Sequence, residues 1–301
     1  MSMNHDQMAA VIERGDGFIA ALDQSGGSTP KALAGYGVDE SAWSTEEEMY
    51  DLIHQMRTRI ITAPSFSGGK VIGAILFERT MDGQVEGKPT PQALIDRGIV
   101  PFIKIDKGLE AEANGVQMMK PMPELSGLLE RAKQLGVFGT KERSVINLAN
   151  PEGMAAVVAQ QFDVARTVLQ HGLVPIIEPE VNIRSADRAQ SDDLLLTAIL
   201  EELDEIPDGQ QVMLKLSIPA EAGKFEPLVD HPKVLKVVAL SGGFSRAEAC
   251  AELARNPGMI ASFSRALLSD LRAQQSDEEF DRTLGSAIDE IYRASTDKVA
   301  A

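Results

Sequence analysis

A single cysteine, Cys250, stands among 301 residues. One thiol excludes an internal disulfide, and its setting in the helical-looking EACAEL makes it a small packed apolar residue. A reducing compartment, the cytoplasm, fits that usage. Histidine is nearly as scarce: His5, His54, His171 and His231 are the full set, and no CxxC occurs. None has a histidine partner at ligand spacing, so a zinc or iron centre built from these residues is not expected. Magnesium held by carboxylates stays open. Basic charge is also short, with 29 Lys+Arg against 45 Asp+Glu and a net charge of −16. Such a surface repels phosphate backbones, so neither a general nucleic-acid binder nor a polybasic membrane-surface protein is expected. No apolar run approaches the ~20 residues of a membrane span. The first residues, MSMNHDQMAA, lack the basic and apolar regions of a signal peptide.

What remains suits a folded chain: 44% apolar and 25% charged residues can fill a core. Apolar runs rich in Val and Ile recur at 17–23, 70–77, 100–106, 138–147, 173–181, 211–218, 235–241 and 259–264. Most are continuous rather than alternating, as strands buried on both faces are. FGTKERSVIN is the weakest, with charges at its centre. Helical patterns lie between them at 123–136, 150–172 and 191–207, in SRAEACAELARNPG, and at the C-terminus in SDEEFDRTLGSAIDEIYRAS. Gly136 and Gly172 are placed to stop the first two, Pro151 to begin the second, and Ser191 with its two aspartates to begin the third. An extra helical region falls at about 30–60.

The length prior of about 150 residues per domain suggests two domains, yet no linker or composition break divides the chain. Eight βα repeats favour one α/β domain over residues 1–301, a (β/α)8 TIM barrel with an N-terminal extension and a C-terminal helix. An open doubly wound sheet is the alternative. It would favour a glycine-rich nucleotide fingerprint after strand one, but ALDQSGGSTPKAL holds neither GxGxxG nor GxxxxGK[ST].

In a barrel the chemistry sits at the C-terminal strand ends. Those positions hold Asp23; Lys104 and Asp106; Lys141 and Arg143; Glu178 and Glu180; Lys215; Ser241-Gly242-Gly243; and Arg265. Any one could simply be leaving the core. Lys215 interrupts an apolar run, and a lysine there must be paired, neutral or reactive. Spacing of two puts Glu178 with Glu180, Lys104 with Asp106, and Lys141 with Arg143 on common faces. The serine-glycine turn and Arg265 fall where barrels often bind phosphate. Together these are a candidate amine nucleophile, carboxylates for proton transfer and cations for more than one anion. An amine attacking a carbonyl forms a Schiff base, an electron sink for C–C cleavage.

With ALDQS, FIKIDKG, FGTKERSVI, VPIIEPE, MLKLS, ALSGGFS and SFSRAL in order, the chain resembles the class I fructose-1,6-bisphosphate aldolases, especially the shorter bacterial form. The likeness covers most of the chain. It implies a metal-independent, cofactor-free lyase of glycolysis and gluconeogenesis, cleaving fructose 1,6-bisphosphate reversibly to dihydroxyacetone phosphate and glyceraldehyde 3-phosphate. Lys215 matches the Schiff-base lysine. Glu178 matches the glutamate that relays protons in carbinolamine dehydration, and Asp23 the aspartate that takes the C4 hydroxyl proton. Lys141 matches the assisting lysine and Glu180 the neighbouring carboxylate. Ser241, Gly242, Gly243 and Arg265 match the C1-phosphate site, and Lys104, Arg143, Ser25 and Ser28 the groups near the C6 phosphate.

Two departures follow from that comparison. Ala32 stands where the larger animal-type enzymes carry an arginine. The chain ends in DKVAA rather than a C-terminal tyrosine, and Tyr292 lies in a helical segment, so another group or water is expected to exchange the enamine proton. Other readings are a different Schiff-base barrel such as a transaldolase, a non-covalent phosphosugar isomerase or decarboxylase, and a non-catalytic sensor. No sustained heptad seam appears, which leaves an oligomer open.

Overall fold

The computed structural model describes residues 3–299. Eight strands form the barrel: β1 Phe18–Leu22, β2 Val71–Leu76, β3 Val100–Lys104, β4 Gly139–Ile146, β5 Val174–Val181, β6 Val212–Ser217, β7 Val234–Leu240 and β8 Ile260–Ala261. Each pairs in parallel with the next in chain order, from β1 to β8. The seam between the ends is drawn together where the Ala21 N–H donates to the Phe263 carbonyl at 3.2 Å. At the C-terminal strand ends of that seam, the Gln24 side-chain amide donates to Ser264 Oγ at 2.5 Å. The barrel is therefore nearly closed, in agreement with the sequence reading.

The two faces of each strand go to two separate cores. Ile19, Ala21, Ile75, Val100, Phe102, Val174, Ile176, Met213, Val238 and Ile260 pack inside the barrel. Leu22, Leu76, Ile103, Ile146, Ile177, Leu216 and Ala239 belong to the layer under the helices. This is why the strands read as continuous apolar runs. Phe102 fills the interior only because Gly73 and Gly139 leave room: an added Cβ would lie 3.2 Å and 3.0 Å from its ring. Met8 and Ile12, from a helix over His5–Arg14, join the interior core and cover its N-terminal end.

The weakest expected strand, FGTKERSVIN, forms the eight-residue β4. Two of its charges, Lys141 and Arg143, project into the polar end of the barrel, while Glu142 between them is buried on the other face. The helix expected at 191–207 instead spans Arg188–Asp204. Ser191 is not its start. Ser191 and Asp192 lie buried within it, where Asp192 Oδ2 accepts the Ala220 N–H at 2.8 Å. A tertiary contact thus replaces the local capping role. The final strand is also shorter than 259–264. The helices over Glu46–Thr62 and Pro151–Gln170 begin on Thr45 and Asn150, whose side chains accept the Glu48 and Gly153 N–H groups.

Candidate active site

Two-residue periodicity carries each strand from apolar interior to polar rim. Val174 and Ile176 lead to Glu178 and Glu180, Met213 leads to Lys215, Ile19 and Ala21 lead to Asp23, and Phe102 leads to Lys104. Register then sets neighbours. Lys104 pairs with Lys141, Arg143 with Glu178, and Val238 with Lys215.

The centre is a chain of alternating charge. Lys141 Nζ lies 2.7 Å from Asp23 Oδ2 and 2.8 Å from Glu178 Oε2. The second is an ion-pair contact without hydrogen-bond alignment. Glu178 Oε1 in turn lies 3.1 Å from Lys215 Nζ. Lys141, Glu178 and Lys215 are all buried. Burial opposes the charge on Asp23 and Glu178. The ammonium groups of Lys141 and Lys215 outweigh it, holding both carboxylates below their usual range. Burial likewise opposes the charge on Lys141, and the Asp23 and Glu178 carboxylates reverse the effect and raise its pKa. Four strand ends that are far apart in sequence thus converge on one ionised cluster.

Around it, Arg143 Nε pairs with Glu180, and Lys104 Nζ bonds Asp106 Oδ1 at 2.7 Å. Ser241 to Phe244 form a turn closed by the Phe244 N–H on the Ser241 carbonyl at 2.9 Å. Both central residues have positive φ, +57° at Gly242 and +112° at Gly243, so glycine suits each. A Cβ on Gly243 would lie 3.8 Å from Arg265 Nη2, which places that guanidinium beside the turn. Ser25 and Ser28 are also at this end, but they satisfy each other: Ser28 Oγ accepts the Ser25 N–H at 2.9 Å and donates to its carbonyl at 2.8 Å.

One residue of this end was not singled out by sequence. Arg57 is buried on the helix over Glu46–Thr62, where it donates to Thr80 Oγ1 at 2.7 Å and to the Gln24 carbonyl. Burial lowers its pKa to about 10. The signal was its place on the apolar face with Ile53, Met56, Ile60 and Ile61. Tyr292, by contrast, has Lys70 over its ring at 5.8 Å. Lys70 precedes β2, so Tyr292 sits at the N-terminal end, opposite the cluster. Among the described residues, no group of three or more His, Cys, Asp or Glu side chains could hold a metal ion. No described helix is long and apolar enough to cross a membrane.

Glu142 stands between Lys141 and Arg143 on the opposite strand face. It is fully buried, and its Oε1 has no hydrogen-bond partner among the described residues. Burial, then the nearby Asp106 carboxylate, push its pKa well above the ordinary value. The folded chain therefore keeps a proton that the unfolded chain releases near pH ~4.3, so this group lowers stability as pH rises from that value toward its folded pKa. Glu142→Gln removes the effect. Its urea midpoint should gain on the parent's as pH is raised from about 4 to 8; a constant difference across that range would contradict the shift.

A family model described as fructose-bisphosphate aldolase class-I matches residues 5–214, ending one residue before Lys215. Among solved structures, a fructose-bisphosphate aldolase from Plasmodium falciparum is similar with TM-score 0.79 and 20% identity, over 99% of this chain and 95% of that one. A protein from Corynebacterium glutamicum aligns with TM-score 0.56 and 15% identity, over 96% and 91%. An archaeal fructose-1,6-bisphosphate aldolase, whose catalytic lysine is covalently bound to the carbinolamine intermediate, aligns with TM-score 0.55 and 12% identity, over 96% and 100%. These structural likenesses are to the fold.

Proposed function

The chain belongs to the class-I fructose-bisphosphate aldolase family, and on that footing we propose that it is a Schiff-base enzyme cleaving fructose 1,6-bisphosphate reversibly into dihydroxyacetone phosphate and glyceraldehyde 3-phosphate. The observation that carries the reading is the Asp23–Lys141–Glu178–Lys215 cluster. Each member has a place in the reaction, and the two lysines share one carboxylate.

Lys215 gives up a proton along its 3.1 Å contact with Glu178, and the neutral amine attacks the C2 ketone. Glu178 returns the proton to the carbinolamine hydroxyl, which leaves as water and generates the iminium. Asp23 takes the C4 hydroxyl proton. The C3–C4 bond breaks, its electron pair enters the iminium as an enamine, and the aldehyde departs. Protonation at C3 and hydrolysis release dihydroxyacetone phosphate and restore the amine. Lys141, between both carboxylates, stabilises the charge passing through the centre. Glu180 holds Arg143 in place. The Ser241–Gly243 turn and Arg265 bind the C1 phosphate. Lys104 and Arg143, with Ser25 and Ser28 in the first loop, face the C6 phosphate, where Ala32 supplies no charge. Tyr292 stands too far around the fold to exchange the C3 proton, which leaves that step to another group or water.

Incubation with dihydroxyacetone phosphate and borohydride should leave a stable mass increase that maps to Lys215. A folded protein with no adduct would overturn the covalent reading in favour of a non-covalent phosphosugar enzyme. Cleavage should also persist undiminished in EDTA; loss of activity there would point to a metal aldolase.

A further inference from the structure

We infer that Gln161, on the helix layer outside the barrel, is a positioning residue for Glu178. The parallel pairing of β5 with β6 includes Ile176 with Met213 and Ile177 with Leu214, and stops there. The next residues along are Glu178 and Lys215. Pairing of β4 with β5 continues through Val181. On β5 the Val174 and Asn182 N–H groups donate to the Phe138 and Ile146 carbonyls, so the Glu178 N–H, four residues from each, also points toward β4. The Glu178 N–H donates to Gln161 Oε1 at 2.9 Å.

The other end of the same amide is also used. Gln161 Nε2 donates to Ser144 Oγ on β4. One carboxamide therefore ties the strand of Lys141 to the strand of Glu178. Gln161 is fully buried and shares its helix face with Met154, Val157, Val158, Phe162 and Ala165. A buried amide in such a face is unfavourable unless both of its ends are bonded. The Glu178 N–H fixes which way round the amide sits, since only its oxygen accepts.

The consequence is geometric. Glu178 addresses two lysines at once, at 2.8 Å and 3.1 Å. A small shift of its backbone breaks one contact, and misplacement by about 1 Å costs on the order of 10²-fold in rate. The inference rests on the aldolase reading, because the loss is expected in the proton transfers assigned to Glu178.

Gln161→Leu keeps the volume and removes both bonds. It should lower kcat by about 10²-fold while KM stays within about threefold, and slow adduct formation at Lys215 in single-turnover borohydride trapping. Gln161→Glu keeps an acceptor and, when protonated, a donor. Its kcat relative to the parent should recover as pH is lowered, a trend that simple loss of packing would not produce. Should Gln161→Leu fail to fold, that pH trend decides alone. A parent-like kcat in Gln161→Leu, or a pH-independent ratio in Gln161→Glu, overturns the positioning role and leaves the aldolase reading intact. Absence of any adduct in the parent protein removes both.

Discussion

Lys215→Met should yield a folded protein whose cleavage rate has fallen on the order of 10⁵-fold or more, as when a covalent nucleophile is removed. Methionine matches the flexible length of lysine and suits the apolar run of β6 around it. Glu178 loses one cation but keeps Lys141 at 2.8 Å, so the buried carboxylate is not left alone. The melting temperature should therefore stay near the parent's, and borohydride should trap no adduct. Three measurements check this: steady-state cleavage, a thermal melt, and intact mass after reduction. Retained cleavage would show that the amine of Lys215 is not the nucleophile.

Lys141→Met should fail differently. Among the described residues, Lys141 is the one cation in ion-pair contact with Asp23, and it also faces Glu178. Its removal leaves buried carboxylates without their closest positive charge. Breaking such a pair from one side typically destabilises by roughly 3–5 kcal/mol. Activity should also fall by about 10³-fold through lost stabilisation of the passing charge. The stability loss should depend on pH with a definite sign. In the parent, Asp23 and Glu178 have lowered pKa values. They add stability above the ordinary carboxylate range and lose it as pH falls through their folded values. Without Lys141 most of that advantage is lost, since of the two ammonium groups only Lys215 remains, and the carboxyls take up protons more readily. The gap between parent and variant should therefore narrow as pH is lowered from about 7 toward 4, which urea unfolding at several pH values would reveal. A gap that widened on acidification would contradict the ionised cluster.

The contrast between the two lysines shows what spacing along a strand contains. Both are buried and both touch Glu178. Lys215 stands out in sequence because it breaks an apolar run, whereas Lys141 lies in KERS, where charge looks ordinary. Only register makes Lys141 the bridge, by aligning β3, β4 and β5 so that Asp23 across the barrel comes within reach.

Local patterning was sufficient for most of the barrel. Continuous Val- and Ile-rich runs mark strands buried on both faces, and a period of two carries the interior column directly into Asp23, Lys104, Lys141, Glu178 and Lys215. The composition is acidic, yet the strand ends gather Lys104, Lys141, Arg143 and Lys215 at one end of the barrel. These are properties of neighbouring residues in one segment, so a linear reading finds them. Contacts between segments lie beyond it. Helix His5–Arg14 packing on the barrel interior depends on where the first helix lands. Asp192 binding the Ala220 N–H moved a helix start away from Ser191. Arg57 under Gln24 and Gln161 behind Glu178 look like errors in apolar helix faces until the strands they serve are known. A hydrogen bond between residues far apart in the chain has no period to announce it; it exists only once the chain has closed into a barrel and left a particular N–H or carbonyl without a partner.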